Sequence, residues 1–535
     1  MSLNDLHAIR SLRERESHLF DRPHRAEDAQ RVLFYSMDPW QLGVFEQFLH
    51  LAVELEGHEA VSVYFDGLLP LCAWENQDIQ PPPHEVLRRR FEFMHDCFGI
   101  KGRGISTYVD ATTARHSAEE LVRQTPDAQL MDMRHRGLPI GKIALRDLTQ
   151  YSLGMFDPRT PEEFSVYRLH LIHAVMSVDL ADAILLREKP DIVVLVNGKS
   201  IMYSYMYELA RMRGVSVTTW EEGGYFDASV VLANDDRAID FPVDEASWQA
   251  ARQHTLSASE VEAVDTYFAR WRRQEARFYT YYEREETDFE RIRRELDIPP
   301  DAKIVSLFTN IIWDTNALGK DRAFASMFDW ICSTIDWAAM RPDHCLIIRA
   351  HPGETRLCFK TRTPIIESIQ AHYAGRLSQN VRFVAPDSQF SSYEIAARSE
   401  HCAVYTSTLG AELSLMGASP LVCGTPFYSG KSLTADISLR EQYFAILDGK
   451  IPKPTVDTDS LRKLLHVVIY RLVKRPEFFV GVHGHPQKPR IQIDSFENFP
   501  DSMPIFDGIV KSILQRRSFV GIPAGAAAVR EMVPA

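Results

Sequence analysis

The stretch Asp191-Ile-Val-Val-Leu-Val196 limits what this chain can fold into more than any other. Its side chains after Asp191 offer no polar face, so as a strand it is buried on both sides, which is the situation of a strand inside a parallel sheet. It follows a helical stretch from Glu163 to Glu188, with Leu169, Ile172, Val175 and Met176 on one side, and it is closed by Asn197-Gly198. Ile201 to Arg213 reads as a helix and Val215-Ser-Val-Thr-Thr-Trp220 as the next strand. Upstream, Arg31–Ser36, a helical stretch to Gly57 and Ala60–Phe65 set the same rhythm. Strands alternating with helices imply a mostly parallel sheet.

A charged, aromatic, helical stretch runs over 257–298 and stops at Ile298-Pro299-Pro300, which marks it as a connecting helix. The rhythm then restarts. Lys303–Phe308, Cys345–Arg349, Val381–Val384, Cys402–Tyr405 and Pro420–Cys423 read as strands with helices between them. The expected fold class is therefore α/β, with two doubly wound Rossmann-like domains over 29–256 and 299–470 facing a central cleft. A polar extension covers 1–28, and a segment over 471–535 follows, with room to return to the N-terminal domain.

Composition narrows the partners. Sixty Lys+Arg against 73 Asp+Glu give a net charge of −13, so the summed field repels nucleic acid and anionic lipid. The seven cysteines are scattered without a C-x-x-C pair, which fits a reducing cytoplasm better than a zinc site or a disulfide framework. No run approaches the ~20 apolar residues that cross a bilayer.

Three motifs sit at strand ends, where doubly wound domains display reactive groups. Trp220-Glu221-Glu222-Gly223-Gly224 follows the strand 215–220. Adjacent carboxylates repel, so one can gain the raised pKa of a base, although the same residues also make an acidic turn. Arg349-Ala-His351-Pro352-Gly353-Glu354 follows the strand ending at Ile348, and a histidine fixed there can donate to a phosphate. Its counterpart His485-Pro486 falls in a loop. Tyr405-Thr406-Ser407-Thr408-Leu409-Gly410-Ala411-Glu412 runs from a strand into a helix, an arrangement that serves either as an anion site or as a plain helix cap. Lys431, in the loop from Gly424 to Asp436, is placed to reach the same anion. Phosphate-loop, H-E-x-x-H and G-x-S-x-G motifs are absent, Gly99–Gly104 reads as a loop, and Asp235-Asp236 lies past a strand end.

The order E-E-G, R-x-H-P and S-T before a helix resembles the bacterial sialyltransferases and the capsule polysaccharide biosynthesis (Kdo transferase-like) glycosyltransferases of the GT-B fold. Leu307-Phe-Thr-Asn310-Ile-Ile-Trp313-Asp314, Val404–Gly410 and Gly424–Lys431 are similar to the capsule-synthesis group in particular, and the resemblance covers roughly residues 190 to 440. It implies an acceptor domain over 29–256, a nucleotide-sugar donor domain over 299–470, and a general base at Glu222 with Glu221 as the fallback. His351, Ser407 and Thr408 would contact the donor phosphate. By position, Arg349, Pro352 and Lys431 are weaker donor-binding candidates beside them, and Glu412, one turn into the helix, is placed either to reach a donor ribose or to lie at the surface. No metal and no other cofactor is implied. The partners would be a nucleotide sugar, with a CMP-Kdo or CMP-sialic-acid type favoured, and an oligosaccharide or glycolipid acceptor of a surface polysaccharide or lipopolysaccharide. Such an enzyme would be cytoplasmic, at the inner face of the plasma membrane with membrane-bound glycan assembly machinery. A CDP-glycerol-type polyol-phosphate transferase shares R-x-H-P and a hydroxyl-rich helix start, and a non-catalytic glycan-assembly scaffold is the alternative from another class.

Overall fold

A computed structural model of the chain describes residues 3–20, 28–37, 41–72, 76, 83–156, 160–222, 230–273, 285–356, 359–473, 495–496 and 504–522. They form two compact units. Unit 1 comprises Met1–Leu148, Asp157–Ser247 and Val467–Ala535, and unit 2 comprises Thr149–Phe156 and Trp248–His466.

The sheet of unit 1 contains β1 (Arg31–Ser36), β2 (Glu59–Tyr64), β3 (Arg103–Gly104), β4 (Ile192–Val196), β5 (Ser216–Glu222) and β6 (Val230–Asn234). Their order is β3-β2-β1-β4-β5-β6, parallel throughout except for the antiparallel pair β5–β6. Every residue of β4 is buried, as its unbroken apolar run requires. The two residues of β3 correct the reading of Gly99–Gly104 as a loop throughout, since Arg103 and Gly104 pair with Val63 and Tyr64, while β6, apolar over Val230–Ala233, departs from the strand-helix rhythm by pairing antiparallel with β5.

The helix Pro161–Glu188 is buried nearly all round rather than on one side, and His170 and His173 lie wholly inside. By length and composition it could cross a bilayer, which corrects the expectation that no stretch could. Most of that window is buried within the unit, so its apolar character serves the core.

Unit 2 holds β7 (Lys303–Phe308), β8 (His344–Arg349), β9 (Val381–Val384), β10 (His401–Val404), β11 (Leu421–Val422) and β12 (Ala435–Asp436). They run in the order β12-β11-β10-β7-β8-β9, all parallel. Both units thus share one strand order, and the α/β, doubly wound class is the observed one. Where one connecting helix is expected over 257–298, the described residues hold two, Ala258–Arg272 and Phe289–Glu295, each started by its own cap, at Ser257 and Asp288.

The core of unit 2 packs Trp330, Ile331 and Ile335 against Leu346, Ile348, Ala403 and Tyr405. The helix Leu409–Leu415 lies so close to this core that a Cβ on Gly410 would stand 2.2 Å from the Tyr428 hydroxyl and 2.8 Å from Val404. Gly410→Ala therefore forces Tyr428 aside, and it is expected to destabilise unit 2 by about 1–3 kcal/mol, read as a fall in thermal midpoint.

Candidate functional site

In unit 2 the crossovers leave the centre of the sheet in opposite directions from β7 and β10, which are neighbours. A crevice opens where the connections part, outside the carboxyl ends of the strands. A pocket of about 710 Å³, counting the solvent it opens onto, occupies this position. Its walls come from the ends of three strands: Phe308 and Thr309 after β7, Arg349 to Pro352 after β8, and Ser407 to Leu409 with Glu412 after β10.

His351 is held from both sides. Its backbone N–H donates to Thr309 Oγ1 at 3.1 Å, and its ring Nδ1 accepts the Gly353 N–H at 3.0 Å. An accepting Nδ1 puts the ring proton on Nε2, so the imidazole is a neutral hydrogen-bond donor rather than a cation. Gly353 is the residue after Pro352, and the turn that delivers its N–H starts the short helix Gly353–Arg356.

Ser407 is fixed as firmly. Its carbonyl accepts the Tyr428 hydroxyl at 2.6 Å, and its Oγ accepts the Leu409 N–H at 3.2 Å. That bond uses an Oγ lone pair and leaves the hydroxyl proton for donation. Thr406 N–H donates to Asn310 Oδ1 at 3.0 Å, which ties this loop to the residue after β7. Thr408 occupies the N-cap position of Leu409–Leu415 without a side-chain cap bond, so its hydroxyl is not spent on the helix.

The remaining expected residues separate. Glu412 is buried one turn into that helix and receives the Tyr393 hydroxyl. Arg349 lines the pocket but is 3% exposed, and its guanidinium donates to the Ala385 carbonyl and, at 2.9 Å, to that of Ser388. Its part is to anchor the loop after β9. Lys431 is not among the lining residues, because its loop leads away toward β12.

Sequence reasoning missed Trp271, Glu285, Phe390, Ser392 and Tyr393, which complete the pocket. Glu286 pairs with Phe390 through backbone bonds, Glu286 N to the Gln389 carbonyl at 2.7 Å and Ser391 N to the Glu286 carbonyl at 3.0 Å. This contact spans a hundred residues of chain, and no local pattern announces it.

In unit 1, Glu221 and Glu222 close β5 opposite Val231 and Val230. The side chain of Glu222 and the pair Gly223-Gly224 lie outside the described residues, as does His485-Pro486. Before them Trp220 is fully buried, with its indole N–H on Glu46 at 3.0 Å and its carbonyl on the Asn197 N–H at 2.8 Å. Asp235 is engaged structurally, accepting the Val217 N–H at 2.9 Å and pairing with Arg211 at 2.6 Å. Among the described residues, no group of three or more His, Cys, Asp or Glu side chains is placed to hold a metal ion.

Glu354, the last residue of the R-x-H-P-G-E motif, is 1% exposed and faces the N-terminus of the helix Ile365–Tyr373. Burial pushes its carboxyl up to about 7. Below the ordinary carboxylate range both folded and unfolded chains carry it protonated. As pH rises toward 7 the unfolded chain ionises first, so the stability this group contributes is lost as pH passes through its folded value. The thermal midpoint of the wild-type protein should therefore fall between pH 5 and 8 relative to Glu354→Gln, by the equivalent of about 3 kcal/mol at most. Parallel curves for the two proteins would refute the shift.

No family model and no curated protein matches the sequence. Solved structures with a related architecture include the Thermosulfurimonas dismutans KpsC β-Kdo 2,7-transferase, at 14% identity over 64% of this chain and 91% of that one, with a TM-score of 0.33. The β-Kdo 2,4-transferase of the same protein is 14% identical over 53% of this chain and 81% of that one, TM-score 0.33. The UDP-GlcNAc 2-epimerase of Methanocaldococcus jannaschii, solved with UDP-GlcNAc and UDP, is 10% identical over 82% of this chain and 99% of that one, TM-score 0.26.

Proposed function

We propose that this chain is a nucleotide-sugar-dependent glycosyltransferase of the GT-B type, and that the pocket of unit 2 binds the donor. The observation that carries the reading is the pairing of two neutral donors, His351 Nε2–H and the Ser407 hydroxyl, in one pocket at the point where the sheet's connections part. Neutral donors held by their own backbone bonds stabilise charge that develops on a leaving phosphate without having to reorganise. Trp271, Phe308, Phe390 and Tyr393 supply apolar surface for a base and ribose, and Glu412 with Tyr393 supplies polar groups for ribose hydroxyls.

A donor with a single phosphate fits best. Among the described lining residues Arg349 is the one permanent cation, bonded to carbonyls, while Glu285 and Glu412 are acidic. A nucleoside diphosphate would bring a second negative charge into that setting, which supports a CMP-activated sugar of the Kdo or sialic-acid kind. In the transfer, the acceptor hydroxyl oxygen bonds to the anomeric carbon, the bond from that carbon to the phosphate oxygen breaks, and CMP departs. Glu222 takes the acceptor proton, with Glu221 as the fallback. The acceptor is a surface polysaccharide or lipopolysaccharide chain, built on the cytoplasmic side of the membrane, and no metal takes part.

A thermal-shift series with CMP, CDP, UDP, GDP and dTDP tests the donor site. CMP at a hundred times its dissociation constant should stabilise the protein by about 2.7 kcal/mol, and His351→Ala should lose most of that gain. Selective stabilisation by CDP would move the assignment to a polyol-phosphate transferase, and no shift with any nucleotide would move it to a non-catalytic scaffold. Glu222→Gln should abolish transfer to acceptor while keeping the CMP shift. Full activity in that variant would remove Glu222 from the mechanism.

A further inference from the structure

We propose that Thr309 and Asn310 are positioning residues that hold the His351 loop and the Ser407 loop at the spacing one phosphate needs. This rests on the reading of the pocket as a nucleotide phosphate site. The two loops leave β8 and β10, which are not neighbours, since β7 lies between them. Strands are spaced by about 4.8 Å, so the two loop origins stand about 10 Å apart. The last ladder pairs, Phe308 with Arg349 and Val404 with Phe308, end before either loop begins. Between β7 and its two neighbours one backbone bond continues beyond them, from the Thr309 N–H to the Arg349 carbonyl at 3.1 Å, and it stops short of both His351 and Ser407.

The two residues that follow β7 fix the separation with their side chains. Thr309 reaches to one side, where its Oγ1 accepts the His351 N–H at 3.1 Å and donates to the Arg349 carbonyl at 3.3 Å. Asn310 reaches to the other, where its Oδ1 accepts the Thr406 N–H at 3.0 Å. Its own N–H is directed at Met327 Sδ, 3.3 Å away, which steadies the pair against the helix Met327–Ala339. One Thr-Asn dipeptide at the end of the strand between them thus serves both loops at once. Each bond is made to a backbone N–H one residue from, or within, a phosphate-contacting position. Losing either therefore shifts a donor without removing it.

Thr309→Val keeps the shape and removes the acceptor, Thr309→Ser keeps the acceptor, and Asn310→Ala frees the Thr406 N–H. Titration with CMP should show a dissociation constant at least tenfold higher for Thr309→Val and Asn310→Ala, and within threefold of wild type for Thr309→Ser, with all three proteins folded by circular dichroism. Wild-type affinity in both Thr309→Val and Asn310→Ala would overturn the proposal. A second readout does not depend on nucleotide binding. The ¹⁵N signals of His351, assigned by comparison with His351→Ala, should report the Nε2–H tautomer in wild type and Thr309→Ser and a mixture in Thr309→Val. If the wild-type protein binds no CMP, the functional reading falls, and the tautomer alone decides the positioning role: an unchanged tautomer in Thr309→Val would refute it.

Discussion

The handedness of the crossovers governs everything that follows in unit 2. A strand, a helix and a parallel strand connect almost always in the right-handed sense, so helices that come before and after the central strands must cover opposite faces of the sheet. β7 and β10 are adjacent yet belong to the two opposite windings. Their carboxyl ends cannot both be covered by connections, and a crevice results whatever the side chains are. Sequence decides only what lines it. That is why residues from positions as distant as Phe308, His351 and Ser407 meet there.

The site then achieves polarity with few charges. His351 is kept neutral by a backbone donor on Nδ1, Ser407 Oγ is held by a backbone N–H that leaves its proton for donation, and Arg349 is bonded to carbonyls. Groups oriented by the fold cost little to reorient toward an anion, which distinguishes such a pocket from one lined by flexible lysines. The buried Glu354 shows the other side of that economy: a carboxyl taken out of water holds its proton to near neutral pH, and it sits in the same turn that presents His351.

Much of this was legible from the residues alone. Continuous apolar runs identified β4, β7 and β8, and the three motifs fell at the carboxyl ends of β5, β8 and β10 because runs and turns are local signals. His351, Ser407, Thr408 and Glu412 share one pocket for that reason. β3 and β12, of two residues each, carry no pattern of their own and depend on a neighbour's ladder, while β6, though apolar, falls outside the strand-helix alternation because it returns antiparallel to β5. Phe390, Tyr393 and Glu285 were missed because a backbone pairing between Glu286 and Phe390 places them, and pairings across a hundred residues leave no mark on either segment. Arg349 was assigned to the ligand by its place in the motif, whereas its guanidinium lies within reach of the carbonyls after β9, which only the fold reveals.

Unit 1 is discontinuous. The helix Gln41–Leu55 presents Phe45 and Phe48 to Phe506, at ring separations of 5.6 and 5.9 Å, on the helix Pro504–Leu514. During synthesis this aromatic surface emerges early, while the helix that covers it emerges only after the whole of unit 2. Unit 2, nearly continuous in sequence, can close its own core first. The nascent chain therefore carries an uncovered apolar seam while unit 2 is being made, and it is in that interval, rather than in the finished molecule, that chaperones have their opportunity and aggregation its risk.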